Sequence, residues 1–170
     1  MLVRSEARAK FHLPRSHRRP MRDADAFDDT AFLGLSRDAK RDPYRLSLFA
    51  HHLATDERPL VLMAVQGGTL LITDRRVLEF RAHLEVHGAW NVKEFQGYAV
   101  HREFDRSSIR DVSHVVEADE GSRGVRRIAD RLRLETADGP VDILVSHAPE
   151  PTLPEGEFRD LRAAVLGPQA

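Results

Sequence analysis

From residue 59 onward the apolar residues come in short runs separated by turn residues, a pattern that builds strands and cannot build long helices. Residues 60–66 and 69–73 read as strands joined by Gly67-Gly68, a two-residue hairpin turn. That turn predicts Val65 opposite Leu70 and Met63 opposite Ile72. The chain turns again at Asp74-Arg75-Arg76 into a strand over 77–82. A three-residue loop there sets Leu78 against Ile72 and Phe80 against Leu70, whereas a two-residue loop would place Glu79 opposite Leu70. The apolar pairing favours the longer loop.

Further on, residues 83–96 read as an irregular connection containing Trp90 and Phe95. Residues 98–104 and 108–116 are weaker strands, and Gly121-Ser122-Arg123-Gly124 is a flexible turn. Asp138-Gly139 closes a last hairpin, with Thr136 opposite Val141, Leu134 opposite Ile143 and Leu132 opposite Val145. Its outward row carries Arg127, Arg131 and Arg133. A helix over 155–166 ends the chain, with Phe158, Leu161 and Val165 as its buried stripe. Thr152 and Glu155 have capping-box spacing, and Gly167-Pro168 stops the helix.

Upstream, Asp42 and Pro43 start a helix whose Leu46, Phe49, Ala50 and Leu53 form one stripe. Residues 1–22 hold Arg4, Arg8, Lys10, Arg15, Arg18, Arg19 and Arg22 against Glu6 alone, a net charge of +6. The remainder holds nineteen bases and twenty-six acids, a net charge of −7. Pro14 and Pro20 keep that arm from forming a helix, and an acidic stretch follows at 23–29. The expected organisation is a basic arm and acidic linker over 1–41, a helix over 42–56 and a β-rich domain over 57–170.

The stretch PLVLMAVQGGTLLITDRRVL (residues 59–78) resembles the first three strands of bacterial pleckstrin-homology-like domains. The Thr73-Asp74-Arg75-Arg76 block is its most distinctive part. The strand–Asp-Gly–strand hairpin over 132–147 and the final helix are similar to that family's closing elements. The resemblance covers about residues 57–167 and leaves out the N-terminal third. It implies a seven-stranded antiparallel sandwich or barrel closed by the C-terminal helix, here preceded by an extra helix and a basic arm. It also implies an interaction module able to self-associate. Phosphoinositide-binding relatives place lysines and arginines around the first hairpin; Gln66-Gly67-Gly68-Thr69 has none, so inositol-phosphate recognition is not expected.

The chemistry-bearing residues are sparse. With no cysteine, disulfides, thiolate metal sites and cysteine nucleophiles are excluded. His83 and His87 are four apart but straddle a strand end and a glycine loop, so helical metal-ligand geometry is not expected. No Gly-x-Ser-x-Gly elbow or phosphate loop occurs. The expectation is therefore no cofactor, no metal and no catalysis. The longest apolar run, residues 60–65, is too short to cross a bilayer. No secretory signal is apparent, so a cytoplasmic location is expected, with attachment to a membrane surface as an option.

Asp74 is expected to accept backbone N–H groups of its own turn, and Thr73 to do so more weakly, with Arg75 and Arg76 projecting from a strand end. Trp90 either anchors a partner or caps an open end of the barrel. Arg127, Arg131 and Arg133 form either a solvated face or an anion surface. The arm follows a phosphate backbone, lies on an anionic membrane or is a plain tail. The functional expectation is a non-enzymatic scaffold binding a protein partner or an anionic membrane surface. The alternative is nucleic-acid or ribonucleoprotein attachment through the arm.

Overall fold

Both faces of the strand β2 (Pro59–Val65) are buried, and the two sets of side chains lead into separate cores. Val61, Met63 and Val65 point one way and Leu62 the other. A near-continuous apolar run is what a strand covered on both faces requires. In the computed structural model, which describes residues 22–90, 92–120, 124 and 126–167, β2 lies inside a five-stranded sheet. Its members, in spatial order, are β1 (Ala31–Leu33), β2, β3 (Gly68–Thr73), β4 (Arg76–His87) and β5 (Val92–Asp105). A second sheet holds β6 (Ile109–Glu120), β7 (Arg126–Thr136) and β8 (Gly139–Ala148) in that order.

The first core lies between the sheets. Met63, Ile72 and Val77 meet Leu132, Leu134, Ile143 and Val145 there, and Leu161 and Val165 of α2 (Glu155–Leu166) close one side. The second core lies on the opposite face of the five-stranded sheet. Leu62, Leu71, Leu78 and Phe80 are covered by Phe27 and by Leu46, Phe49 and Ala50 of α1 (Pro43–Ala50). The expected start of α1 is present: Asp42 accepts the Tyr44 N–H at 3.0 Å and Pro43 occupies the first helical position. The helix closes at Ala50, and turns lead from there to β2.

Strands β2 to β8 are the seven expected strands, and their pairings are all antiparallel. The upstream segment adds an eighth: β1 pairs with β2 in parallel, Phe32 beside Leu62. The two sheets do not close into a barrel. A single backbone hydrogen bond, Gln66 N–H to Leu144 O at 2.9 Å, joins β2's end to β8.

Several registers differ from expectation. At the first hairpin the turn residues are Gln66 and Gly67, so Val65 faces Gly68, Met63 faces Leu70 and Val61 faces Ile72. The slip is two residues, which leaves every side chain on its expected face. Gly68 lies in β3, where a Cβ would come within 2.1 Å of the Phe80 carbonyl oxygen; close strand approach, more than turn geometry, demands this glycine. The last hairpin slips likewise, turning at Ala137-Asp138 with Leu134 opposite Val141 and Leu132 opposite Ile143.

The β3–β4 register is the alternative that apolar pairing disfavoured. Leu70 faces Glu79, Leu71 faces Leu78 and Ile72 faces Val77. Glu79 is buried, and Arg102 on β5 donates to its Oε2 at 2.6 Å. That charge-assisted bond offsets the desolvation that the pairing rule counted against this register. Residues 83–96 are also corrected: they form the outer half of a regular hairpin. Each of its faces is open to solvent, although Ala82, Leu84 and Val86 alternate along β4 with His83, Glu85 and His87 as a strand requires.

Two local motifs differ as well. Thr73 supplies the turn bonds assigned to Asp74: its Oγ1 accepts the N–H groups of Arg75 at 3.1 Å and Arg76 at 3.0 Å. Asp74 instead accepts the Arg58 N–H at 2.9 Å. The expected capping box is absent, because Thr152 is committed elsewhere. Its N–H donates to Asp130 and its hydroxyl shares a 2.7 Å hydrogen bond with Ser146, leaving Pro154 as N-cap.

Candidate interaction surface

Strands β4 and β5 run past the rest of the molecule. Residues 81–96, apart from residue 91, which lies outside the described residues, are exposed, while Val77, Leu78, Glu79 and Phe80 just before them are buried. The outer part of β4, Arg81 to His87, adds about 20 Å of strand at ~3.3 Å per residue. Gly88, at φ +72, lies in the turn at its tip.

Register assigns the two faces of this ribbon. Leu84 faces Phe95, Val86 faces Lys93 and Ala82 faces Tyr98, so these side chains share the face that carries Phe80 in the body. An aromatic series runs out along it. Phe80 lies 5.1 Å from Phe49, Tyr98 stacks on Phe49 at 4.2 Å, and Phe95 meets Tyr98 edge-on at 5.2 Å. In the body this face is covered by α1; beyond Tyr98 its Leu84, Val86 and Phe95 side chains are exposed.

Trp90 stands at the tip with 91% of its surface exposed. It does not cap the space between the sheets. Leu84, Val86, Val92, Phe95 and Val100 are the other large apolar side chains left exposed on this hairpin. The opposite face carries Glu85 opposite Glu94 and His87 opposite the exposed Val92, and the His87 Nε2 lies 3.2 Å from a carboxylate oxygen of each glutamate.

The expected basic sites fall elsewhere. Arg4, Arg8, Lys10, Arg15, Arg18 and Arg19 lie outside the described residues, as do residues 121–123 of the glycine turn. Arg22 donates to the carbonyls of Ala54, at 2.9 Å, and Glu57. Arg75 pairs with Asp56 at 2.6 Å and holds its carboxyl below the usual carboxylate range. Arg76 does not project freely. It binds the buried Glu57, Glu103 and the His52 carbonyl, and the Glu57 hydrogen bonds hold its proton more tightly than usual. These groups line an open polar groove with Ala54 and Asp105.

The arginine row on β7 meets acids. Arg131 donates to Glu117 at 3.1 Å and Arg133 to Asp142 at 2.8 Å, which keeps the Asp142 carboxyl below its ordinary range. Arg127 is exposed, with Asp119 as its register partner. The row is thus interleaved with negative charge.

One polar cluster escaped the sequence reading. Asp130, fully buried on β7, accepts the N–H groups of Thr152 at 3.1 Å and Leu153 at 3.2 Å and is hydrogen-bonded to His114 Nε2. His114 stacks on Phe158 of α2 at 5.2 Å. The cluster straps α2's entry to the second sheet, and only an aspartate in an otherwise apolar–basic strand pattern marks it in sequence.

Among the described residues no group of three or more histidine and carboxylate side chains is arranged to hold a metal ion, and no helix is long and apolar enough to cross a membrane. No family model matches the chain, and comparison with curated proteins and with solved structures finds no match.

Proposed function

We infer that the chain is a non-enzymatic interaction module of pleckstrin-homology-like fold that engages a protein partner through the β4–β5 hairpin. The fold part of this reading is supported by the element order: four antiparallel strands β2–β5, three more in β6–β8, then a helix packed across one side. The functional part rests on one observation above the others. A tryptophan 91% exposed sits at the end of a ribbon whose apolar row, Leu84, Val86 and Phe95, is itself exposed. An indole is the side chain most often found anchoring an interface, and charged neighbours around an apolar centre match the anatomy of one. Arg81, Glu85, Lys93 and Glu94 supply that charged surround.

Charge favours a protein over an anionic membrane. Residues 23–170 carry a net −7, which opposes approach to an anionic lipid surface. Attachment through the basic arm to nucleic acid is the second class of reading; the arm's net +6 motivates it.

The test is co-purification from the source organism of the wild type and of a Leu84→Ser, Trp90→Ser, Phe95→Ser variant. The expected result is a specific partner retained by the wild type and lost by the variant. Equal recovery of the same partner contradicts the hairpin reading, and salt-sensitive recovery of RNA or DNA that depends on residues 1–22 supports the alternative.

A further inference from the structure

We propose that the hairpin's partner presents an acidic amphipathic helix, laid along the face of β4 and β5 that meets α1, with Arg45 at its inner end and Lys93 at its outer end. The proposal rests on the hairpin being the interaction surface and says which chemistry that surface takes.

Charge is sorted between the two faces of the ribbon. Only two carboxylates occur between residues 82 and 98, Glu85 and Glu94, and they are register partners on the face turned away from α1. The α1 face carries Ala82, Leu84, Val86, Phe95 and Tyr98 with one charge among them, Lys93. A second cation stands at the foot of this row. Arg45 of α1 donates to the Tyr98 hydroxyl at 2.8 Å and to the Thr69 hydroxyl at 3.1 Å, and its guanidinium carbon lies 5.8 Å from the Tyr98 ring centroid. Those partners hold the guanidinium in place without neutralising it. Neither Arg45 nor Lys93 forms an ion pair among the described residues. An exposed apolar row between two such cations complements an apolar segment that carries carboxylates.

Shape favours a helix. Tyr98 stacks on Phe49 at 4.2 Å, so α1 rises from the sheet where the row begins. The row therefore runs into a corner, which a helix fills and a flat bilayer does not enter. Strand addition along the outer edge of β5 is the other way to seat a segment. The β4–β5 register shifts twice, at Glu79/Phe80 and at Ala82/Leu84, and such bulges interrupt the ladder an added strand would follow. Ala82, the partner of Tyr98, and Val86, the partner of Lys93, are separated by about 13 Å at ~3.3 Å per residue. On a helix rising ~1.5 Å per residue, carboxylates about seven to nine residues apart meet both cations.

Trp90 is the chain's one tryptophan, so its emission reports binding to the full chain. The probe is a synthetic helix without aromatic residues, about 14 residues or ~21 Å long, with leucines along one side flanked by glutamates. The same helix with lysines in place of the glutamates is the control. The glutamate helix is expected to shift Trp90 emission to shorter wavelength and to bind about three- to tenfold more tightly than the lysine helix, a margin that shrinks as salt rises. Lys93→Glu is expected to remove or reverse that preference. No binding of the glutamate helix, equal affinity for the two helices, or a preference that Lys93→Glu leaves unchanged overturns the proposal. An emission shift with lipid vesicles and with neither helix overturns it in favour of a membrane. The Leu84→Ser, Phe95→Ser variant separates this outcome from the hairpin reading. If the wild type binds both helices alike and the variant binds neither, the acidic partner fails and the hairpin surface stands. If the variant binds the glutamate helix as the wild type does, the helix sits elsewhere and both readings fail.

Discussion

The Glu57 carboxylate, 1% exposed, is held by the Arg76 guanidinium through Nε contacts of 2.9 and 3.0 Å to its two oxygens. The pair stands where β2 and β4 both begin, and Arg76 carries on to the His52 carbonyl and to Glu103. It thereby ties the end of the α1 segment to the sheet.

Removing one partner leaves the other charge buried. Arg76→Leu is expected to cost roughly 3–5 kcal/mol, and a Glu57→Leu, Arg76→Leu double variant to recover part of that loss. Urea denaturation of the three proteins measures both. A single variant as stable as the wild type would show that water reaches Glu57.

The Asp130 strap makes a separate prediction. Asp130→Asn keeps the shape but removes an acceptor from either His114 or the Thr152 and Leu153 N–H groups. The expected loss is about 1–3 kcal/mol, with faster amide exchange concentrated at the start of α2. Uniform loss of protection across both sheets would assign Asp130 a different role.

Acid stability should follow the surface pairs. Arg162 and Arg133 hold the carboxyls of Asp111 and Asp142 below their usual range, chiefly by hydrogen bonding. Because the folded value is the lower one, these pairs stabilise the fold above the ordinary carboxylate range, near pH 4. Their contribution disappears as pH falls through the depressed folded values. Both pairs are exposed, so the effect is small and screened by salt. The melting midpoint is expected to drop below about pH 4, less steeply in an Arg133→Gln, Arg162→Gln variant.

Core and hairpin should respond oppositely to truncation. Leu134, 1% exposed between the sheets, is expected to cost roughly 2–5 kcal/mol as alanine. Trp90→Ala is expected to shift stability by less than ~0.5 kcal/mol, because the indole is almost fully exposed. Thermal melts of the two variants give the comparison.

Much of the sheet order was legible because burial on a face imprints a pattern. Leu132, Leu134, Ile143 and Val145 announce their hairpin, and a two-residue slip does not disturb it. What could not be read has a common cause: partners distant in sequence. Glu79 opposite Leu70 looks costly until Arg102 is placed beside it, and Thr152 looks like a helix cap until Asp130 claims its N–H. Residues 82–87 do alternate, Ala82, Leu84 and Val86 against His83, Glu85 and His87, but His87-Gly88-Ala89-Trp90 drew the reading to a loop where the two strands in fact pair as a hairpin. Nothing local marks residues 31–33 as a strand parallel to β2, because that pairing depends on the open edge of β2, distant in sequence. Trp90 was singled out by residue type alone; only the projection of β4 and β5 shows that it does not cap the interior.

Whether the hairpin tip meets the partner is read by a photo-crosslinking side chain placed singly at positions 15, 90 and 131 in the source organism. A crosslink to one protein is expected from position 90, absent when Leu84 and Phe95 are replaced by serine. Crosslinks from position 15 or 131, with none from position 90, would contradict it and move the interaction to the basic arm or to the arginine row of β7.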